Sequence, residues 1–141
     1  MNQQNPTIVK GGLATDDRGV LRFINDFSFE GVKRFYQIEN HEQGFIRAWH
    51  GHKKEAKYFY VAKGAILIGA VNLETNELFK FVLTSESPTV LFIPAGFANG
   101  FKNLKENTII HVFSTTTLQE SLDDDYRFAF DKWNIWEKEY R

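Results

Sequence analysis

The chain has no cysteine among its 141 residues. This excludes disulfide staples, zinc knuckles and thiol nucleophiles, and is compatible with a cytosolic setting. Net charge is nearly absent: 17 basic and 18 acidic side chains leave −1, so no polyanion footprint is spread over the molecule and nucleic acid is not an expected partner. No stretch approaches the roughly 18 consecutive apolar residues that a membrane span requires. The N-terminus, MNQQNPTIVKGG, lacks both the apolar core of an export signal and the Arg-rich pattern of an import signal. Internal repeats, low-complexity segments and linkers are also missing. These absences leave a cytoplasmic chain without a membrane partner, long enough for one domain with a real core, residues 1–141.

Aromatic residues, by contrast, are plentiful: 16% of the chain, with 14 Phe. A load of that size in a small fold points to a lined pocket or a buried subunit interface. The aromatics sit in short alternating segments. Residues 7–10 (TIVK), 20–26, 32–40 and the run from Gly44 to His52 alternate apolar and polar side chains as half-buried strands do. KYFYVAKGAILIGAVNL forms two strands about a Lys63-Gly64 turn, followed across ETNE by LFKFVLT, then TVLFI and TIIHVFST. GG and TDDRG near residues 11–19 read as turns. Only 121–141 breaks the habit; it reads as a short helical or irregular arm with Phe128, Phe130, Trp133, Ile135 and Trp136 to bury. Roughly eight to ten short strands at regular intervals predict an all-β, single-domain jelly-roll barrel or sandwich with a short irregular or helical C-terminal tail.

The segment Gly44–Gly64 carries the chemistry. His50 and His52 are two residues apart in a predicted strand, so both imidazoles point to one face. Side by side they hold a metal ion or a proton. The segment resembles the first motif of the cupins, G-x5-H-x-H-x(3,4)-E-x6-G, and residues 94–103 resemble the second, P-x-G-x2-H-x3-N. Gly44, His50, His52, Gly64, Pro94, Gly96 and Asn103 fall on the pattern. In metal-dependent cupins the ligands are the two histidines, the glutamate and the second-motif histidine. Here the glutamate position is Lys57 and the second histidine is Asn99; an ammonium repels a cation and an amide ligates one weakly. Glu55, two residues earlier, stays on the same strand face but is displaced by about 6–7 Å along it. Neither metal nor other cofactor is expected.

The departures themselves resemble a metal-free branch. Arg47-Ala48-Trp49-His50 is similar to the R-G-x-H segment of the dTDP-4-dehydrorhamnose 3,5-epimerases, and Lys57 falls on that family's active-site lysine. IPAGFANGF resembles their IPxGFAHGF, DDRG their D-x-R-G, and DDDYRFAFDKWNIW their closing segment. His50-Gly51-His52-Lys53-Lys54 is also similar to the HxHKK of the nucleotide-sugar 3,4-ketoisomerases.

The resemblance implies an isomerase acting on a nucleotide-diphosphate sugar, a dTDP-4-keto-6-deoxyhexose, in deoxysugar and polysaccharide biosynthesis, and a homodimer. The first step is removal of a proton α to the C4 ketone. His50 is the expected base, Lys57 the cation that holds the enolate, and His52 a second acid–base group or a pocket wall. Asp131, with Asp125 second, is the expected carboxylate partner of the base; Asp123 and Asp124 read as a solvated acidic turn. Arg47 and Arg18 occupy phosphate-binding positions, and Asn99 lines the sugar site. The family's opposing tyrosine is replaced by Phe113, with His111 nearby as a substitute acid. Epimerisation at C3 alone therefore fits better than at C3 and C5; a 3,4-ketoisomerase and a non-catalytic sugar-binding protein are the alternatives.

Overall fold

The computed structural model describes residues 4–141. Its strands run in chain order as β1 (Thr7–Lys10), β2 (Gly12–Asp16), β3 (Gly19–Phe23), β4 (Arg34–Glu39), β5 (Ile46–His52), β6 (Lys57–Lys63), β7 (Ala65–Asn72), β8 (Leu78–Thr84), β9 (Thr89–Ile93), β10 (Phe97–Asn103) and β11 (Ile109–Ser114). A five-residue helix, α1 (Leu118–Leu122), and a two-residue strand, β12 (Tyr126–Arg127), follow. Two five-stranded antiparallel sheets face one another: β1-β9-β6-β11-β4 and β12-β5-β10-β7-β8. The jelly-roll sandwich read from the strand spacing is thus the architecture found.

Alternation builds the core. β11 alternates with Ile110, Val112 and Ser114 buried and Ile109, His111 and Phe113 partly exposed, and the inward residues of both sheets meet in one cluster around Phe59, Ile66, Ile68, Leu91, Phe97 and Phe101. A second cluster lies on the outer face of the β5 sheet. There the C-terminal arm lays Ile135 and Trp136 over Trp49, Val71 and Ala98. Both indoles donate to the Phe130 carbonyl, Trp49 Nε1 at 3.0 Å and Trp136 Nε1 at 2.8 Å. The tail is therefore mostly an irregular arm, as its sequence suggests, although Phe130 itself remains exposed.

Three local readings change. TDD does not all turn: β2 extends to Asp16, pairs with β3 as a separate two-stranded hairpin, and turns only at 17–18. Residues 97–103, read as a motif without a secondary structure, form a central strand paired on both sides. Glu55 lies outside the strands, in the loop between β5 and β6. Among the turns, Lys63-Gly64 is demanding: Gly64 has φ +87°, and a Cβ there would meet Thr108 Oγ1 at 2.2 Å.

Candidate active site

A cavity of about 240 Å³ lies between the sheets, and its walls come from both. From the β5 sheet come Arg47, His50, His52, Asn99 and Arg127; from the β4 edge and β6 come Arg34, Tyr36 and Lys57; Ser121, Leu122 and Asp125 lie at the end of α1 and beyond it. Six residues expected from sequence therefore share one cavity: Arg47, His50, His52, Lys57, Asn99 and Asp125, the second choice for the carboxylate partner of the base.

Arg47 and His50 are three apart, a spacing that in a regular strand sends side chains to opposite faces. A bulge reconciles them. Asn99 pairs with His50 and Phe101 with Arg47, so two steps on β10 match three on β5. Gly100 lies opposite the bulge. A Cβ on it would stand 2.6 Å from Ala48 Cβ and 3.0 Å from the Trp49 ring. Glycine permits this close approach, and the bulge turns both functional side chains inward.

His50 faces a concentrated positive field. Burial first, then the charges of Arg127 and Lys57, push its pKa down to about 4, with Asp125 opposing. Arg127 sits directly across the β5–β12 ladder from it. Its imidazole is thus neutral at physiological pH, the form a base requires. Lys57 is buried at the start of β6 on the facing sheet.

His52 is held differently. Its Nδ1 lies 2.8 Å from the Asp124 carbonyl and 3.4 Å from Glu55 Oε1, so Nδ1 carries the proton. Nε2 is buried and has no hydrogen-bond partner among the described residues. Burial and then Lys57 hold the His52 pKa below the usual histidine range.

Two buried carboxylates underlie this pair, and neither has the character read from sequence. Glu55 is 1% exposed and accepts from Ser121 Oγ at 2.8 Å, from Ser114 Oγ in a short bond, and from Arg34 Nη2 at 3.3 Å. Burial alone would raise its pKa; the Ser114 bond, Lys57 and the Ser121 bond outweigh burial and keep it ionised. Asp124 is no solvated turn: 2% exposed, it accepts from the N–H groups of Lys53, Lys54 and Glu55 at 2.8, 2.8 and 2.9 Å. It thereby ties the end of α1 to the loop after the histidines. Asp123 is exposed, as expected.

Other expectations are corrected by geometry. Asp131 is exposed on the arm and does not line the cavity; the carboxylate nearest in effect to His50 is Asp125, itself 3.1 Å from Arg127 Nε. His111 and Phe113 point out of the sandwich, because Ile110, Val112 and Ser114 take the inner face of β11. His111 Nε2 bonds Gln37 Oε1 at 2.8 Å, and Phe113 packs with Phe27, Phe29 and Phe35. Arg18 lies at the tip of the β2–β3 hairpin, 86% exposed and paired with Asp16 at 2.6 Å. Conversely, Arg34, Tyr36 and Arg127 were missed. The β4 alternation carries the signal for the first two: Arg34, Tyr36 and Ile38 occupy its more buried face, Phe35, Gln37 and Glu39 its exposed face.

Among the described residues no group of three or more His, Asp or Glu side chains could hold a metal ion. A family model described as dTDP-4-dehydrorhamnose 3,5-epimerase matches residues 4–136. The chain belongs to the dTDP-4-dehydrorhamnose 3,5-epimerase family. It is accordingly an isomerase, an epimerase of a dTDP-4-keto-6-deoxyhexose serving sugar biosynthesis.

The spore coat polysaccharide biosynthesis protein SpsL of Bacillus subtilis (strain 168) is 28% identical over 139 residues, covering 90% of this chain and 91% of the relative. The dTDP-4-dehydrorhamnose 3,5-epimerase of Sulfolobus tokodaii superposes with a TM-score of 0.76 at 26% identity, over 92% of this chain and 81% of that one. QdtA, a sugar 3,4-ketoisomerase of Thermoanaerobacterium thermosaccharolyticum crystallised with TDP, has the same fold: TM-score 0.72, 23% identity, 88% of each chain. No helix among the described residues is long and apolar enough to cross a membrane.

Proposed function

We propose that this epimerase inverts C3 of its dTDP-4-keto-6-deoxyhexose without a metal ion, with His50 as the base. The observation that carries the reading is a neutral, half-buried imidazole and a buried ammonium facing each other across one cavity. The C4 ketone lies toward Lys57. His50 takes the C3 proton, the electron pair moves into the C3–C4 bond, and negative charge collects on O4 beside the Lys57 Nζ. Reprotonation of C3 from the other face inverts the centre and returns the ketone.

The acid for that second step is Tyr36. With His111 and Phe113 outside, Tyr36 supplies a phenol from the wall facing His50; the Arg34 guanidinium lies 5.0 Å over its ring and the Lys57 ammonium 5.9 Å. His52 Nε2 accepts from a sugar hydroxyl, and Asn99 donates to the sugar. Arg47 and Arg127 bind the diphosphate.

The active species is a homodimer. The outer face of the β4 sheet carries an aromatic patch with Phe29 and Phe35 at 63% and 71% exposure, well suited to burial against a second copy. We also infer that Arg18, exposed at the hairpin tip and outside the cavity of its own chain, serves the cavity of the other subunit. Mixing inactive Arg18→Ala and His50→Asn chains restores activity if it does; no recovery on mixing overturns this placement.

The product formed from dTDP-4-keto-6-deoxyglucose in deuterated water tests the reaction itself. Deuterium at C3 with the ketone still at C4 is the expected result. Deuterium at C5 as well means a double epimerase, a 3-keto product means a ketoisomerase, and tight binding without exchange means a sugar-binding protein. Elemental analysis of the active protein is expected to find less than one tenth equivalent of zinc, iron or nickel; a full equivalent contradicts the metal-free reading.

A further inference from the structure

Asn103, the last residue of the second motif, has no part in the chemistry above, yet it is among the most buried polar residues, at 1% exposure. Its backbone is fixed across the sheet, with its N–H donating to the Phe45 carbonyl at 3.2 Å and its carbonyl accepting from the Gly44 N–H at 2.9 Å. Its side-chain Oδ1 accepts from Asn40 Nδ2 at 3.2 Å. Asn40, 5% exposed, in turn accepts from Arg47 Nε at 2.6 Å through its own Oδ1. A line of three side chains therefore runs from the closing strand of the second motif to the arginine that begins the R-x-x-H segment of the first.

The chemistry of this line is selective. A guanidinium has five N–H donors, and the Asn40 bond uses the one on Nε, leaving the forked pair of terminal nitrogens for an oxyanion. The tether is uncharged: no carboxylate lies within ion-pair distance of Arg47 among the described residues, although Glu39 and Glu42 line the adjoining 230 Å³ cavity with it. An amide fixes the direction of the fork without neutralising it; a carboxylate would compete with a phosphate for the same donors.

We infer that Asn40 and Asn103 are positioning residues that aim the Arg47 fork at the substrate diphosphate while leaving its charge available. The inference rests on the reading of Arg47 as a diphosphate ligand, and a double-mutant cycle separates the two. The measurement is calorimetric binding of dTDP to the full-length protein, with kcat and melting temperature recorded on each variant. Arg47→Ala is expected to weaken dTDP by about tenfold or more, as loss of a charge-assisted bond implies. Asn40→Ala is expected to weaken it about fivefold with kcat within about threefold of the parent, and to have no further effect once Arg47 is alanine.

An equal Asn40→Ala effect with and without Arg47 overturns the tether, since that residue would then act on the fold alone. So does unchanged binding in Asn40→Ala when Arg47→Ala binds poorly. Unchanged binding in Arg47→Ala overturns the diphosphate reading together with the tether. Asn40→Asp covers the case of an unfolded alanine variant: it keeps an acceptor for Nε, loses the donor to Asn103 Oδ1 and adds a negative charge, so dTDP binding is expected to weaken by about three- to tenfold. Binding as tight as the parent's would show that an uncharged tether is not required.

Discussion

At the residue scale the account turns on His50 and the charges around it. Its pKa, lowered from 6.5 to about 4 by burial and then by Arg127 and Lys57, gives two signed expectations. The acid limb of kcat/KM belongs to the free base, so it falls near pH 4 rather than near 6.5. Replacing Arg127 with Met removes the second cause but leaves burial, and the limb moves part of the way up; a limb that stays in place separates Arg127 from the base. The same shift links to stability. The unfolded chain binds the extra proton between pH 6.5 and 4, so the contribution of His50 is present above 6.5 and lost as pH falls to 4. The difference in melting temperature between the parent and His50→Asn should change in that window and level off outside it.

Much of this scale was legible. The two-residue spacing of His50 and His52 sends both inward, and Lys57 and Asn99, singled out by their departure from the cupin pattern, line the same cavity. Asp131 was not placed correctly, because sequence order cannot say which carboxylate of an irregular arm returns to a strand. Asp124 is the instructive failure. A run of three aspartates looks like a solvated turn, but its middle-buried member depends on three N–H groups some seventy positions away, about which local composition is silent. Asp124→Ala leaves the buried Glu55 N–H without its acceptor, a loss of about 1–3 kcal/mol for that group alone. Chemical denaturation measures it.

At the scale of elements, the β5 bulge decides the site. Strand alternation foretold most strands, since half-buried sheets write a period of two into the sequence. It could not foretell that Arg47 and His50 share a face, because a bulge breaks the period at a point set by the partner strand. The signal for it, Gly100, lies on β10 and means nothing until β10 is paired with β5. Gly100→Ala must push Ala48 or Trp49 aside and misdirect both functional groups. A displacement near 1 Å costs about 10²-fold in kcat/KM, measurable while the variant still melts cooperatively. The arm on the other side of the same strand supports it: Trp136→Ala removes a buried indole and its bond to Phe130, at a cost of about 3–5 kcal/mol.

At the scale of the whole molecule, a chain with net charge −1 gathers Arg34, Arg47, Lys57 and Arg127 around one cavity, against Asp125 and the buried Glu55. That concentration suits a substrate with two phosphates and a developing enolate. Phe59, Phe97 and Phe101 fill the core, while Phe29, Phe35 and Phe113 form the aromatic patch on the outer face of the β4 sheet. Light scattering is expected to give twice the 16.4 kDa of one chain, and Phe35→Asp to halve it. The central claim is the identity of the base. The rate of deuterium entry at C3 of dTDP-4-keto-6-deoxyglucose, compared between the parent and His50→Asn, tests it most directly. A loss of about 10²-fold or more is predicted for removal of a general base. Exchange within about threefold of the parent would contradict the account.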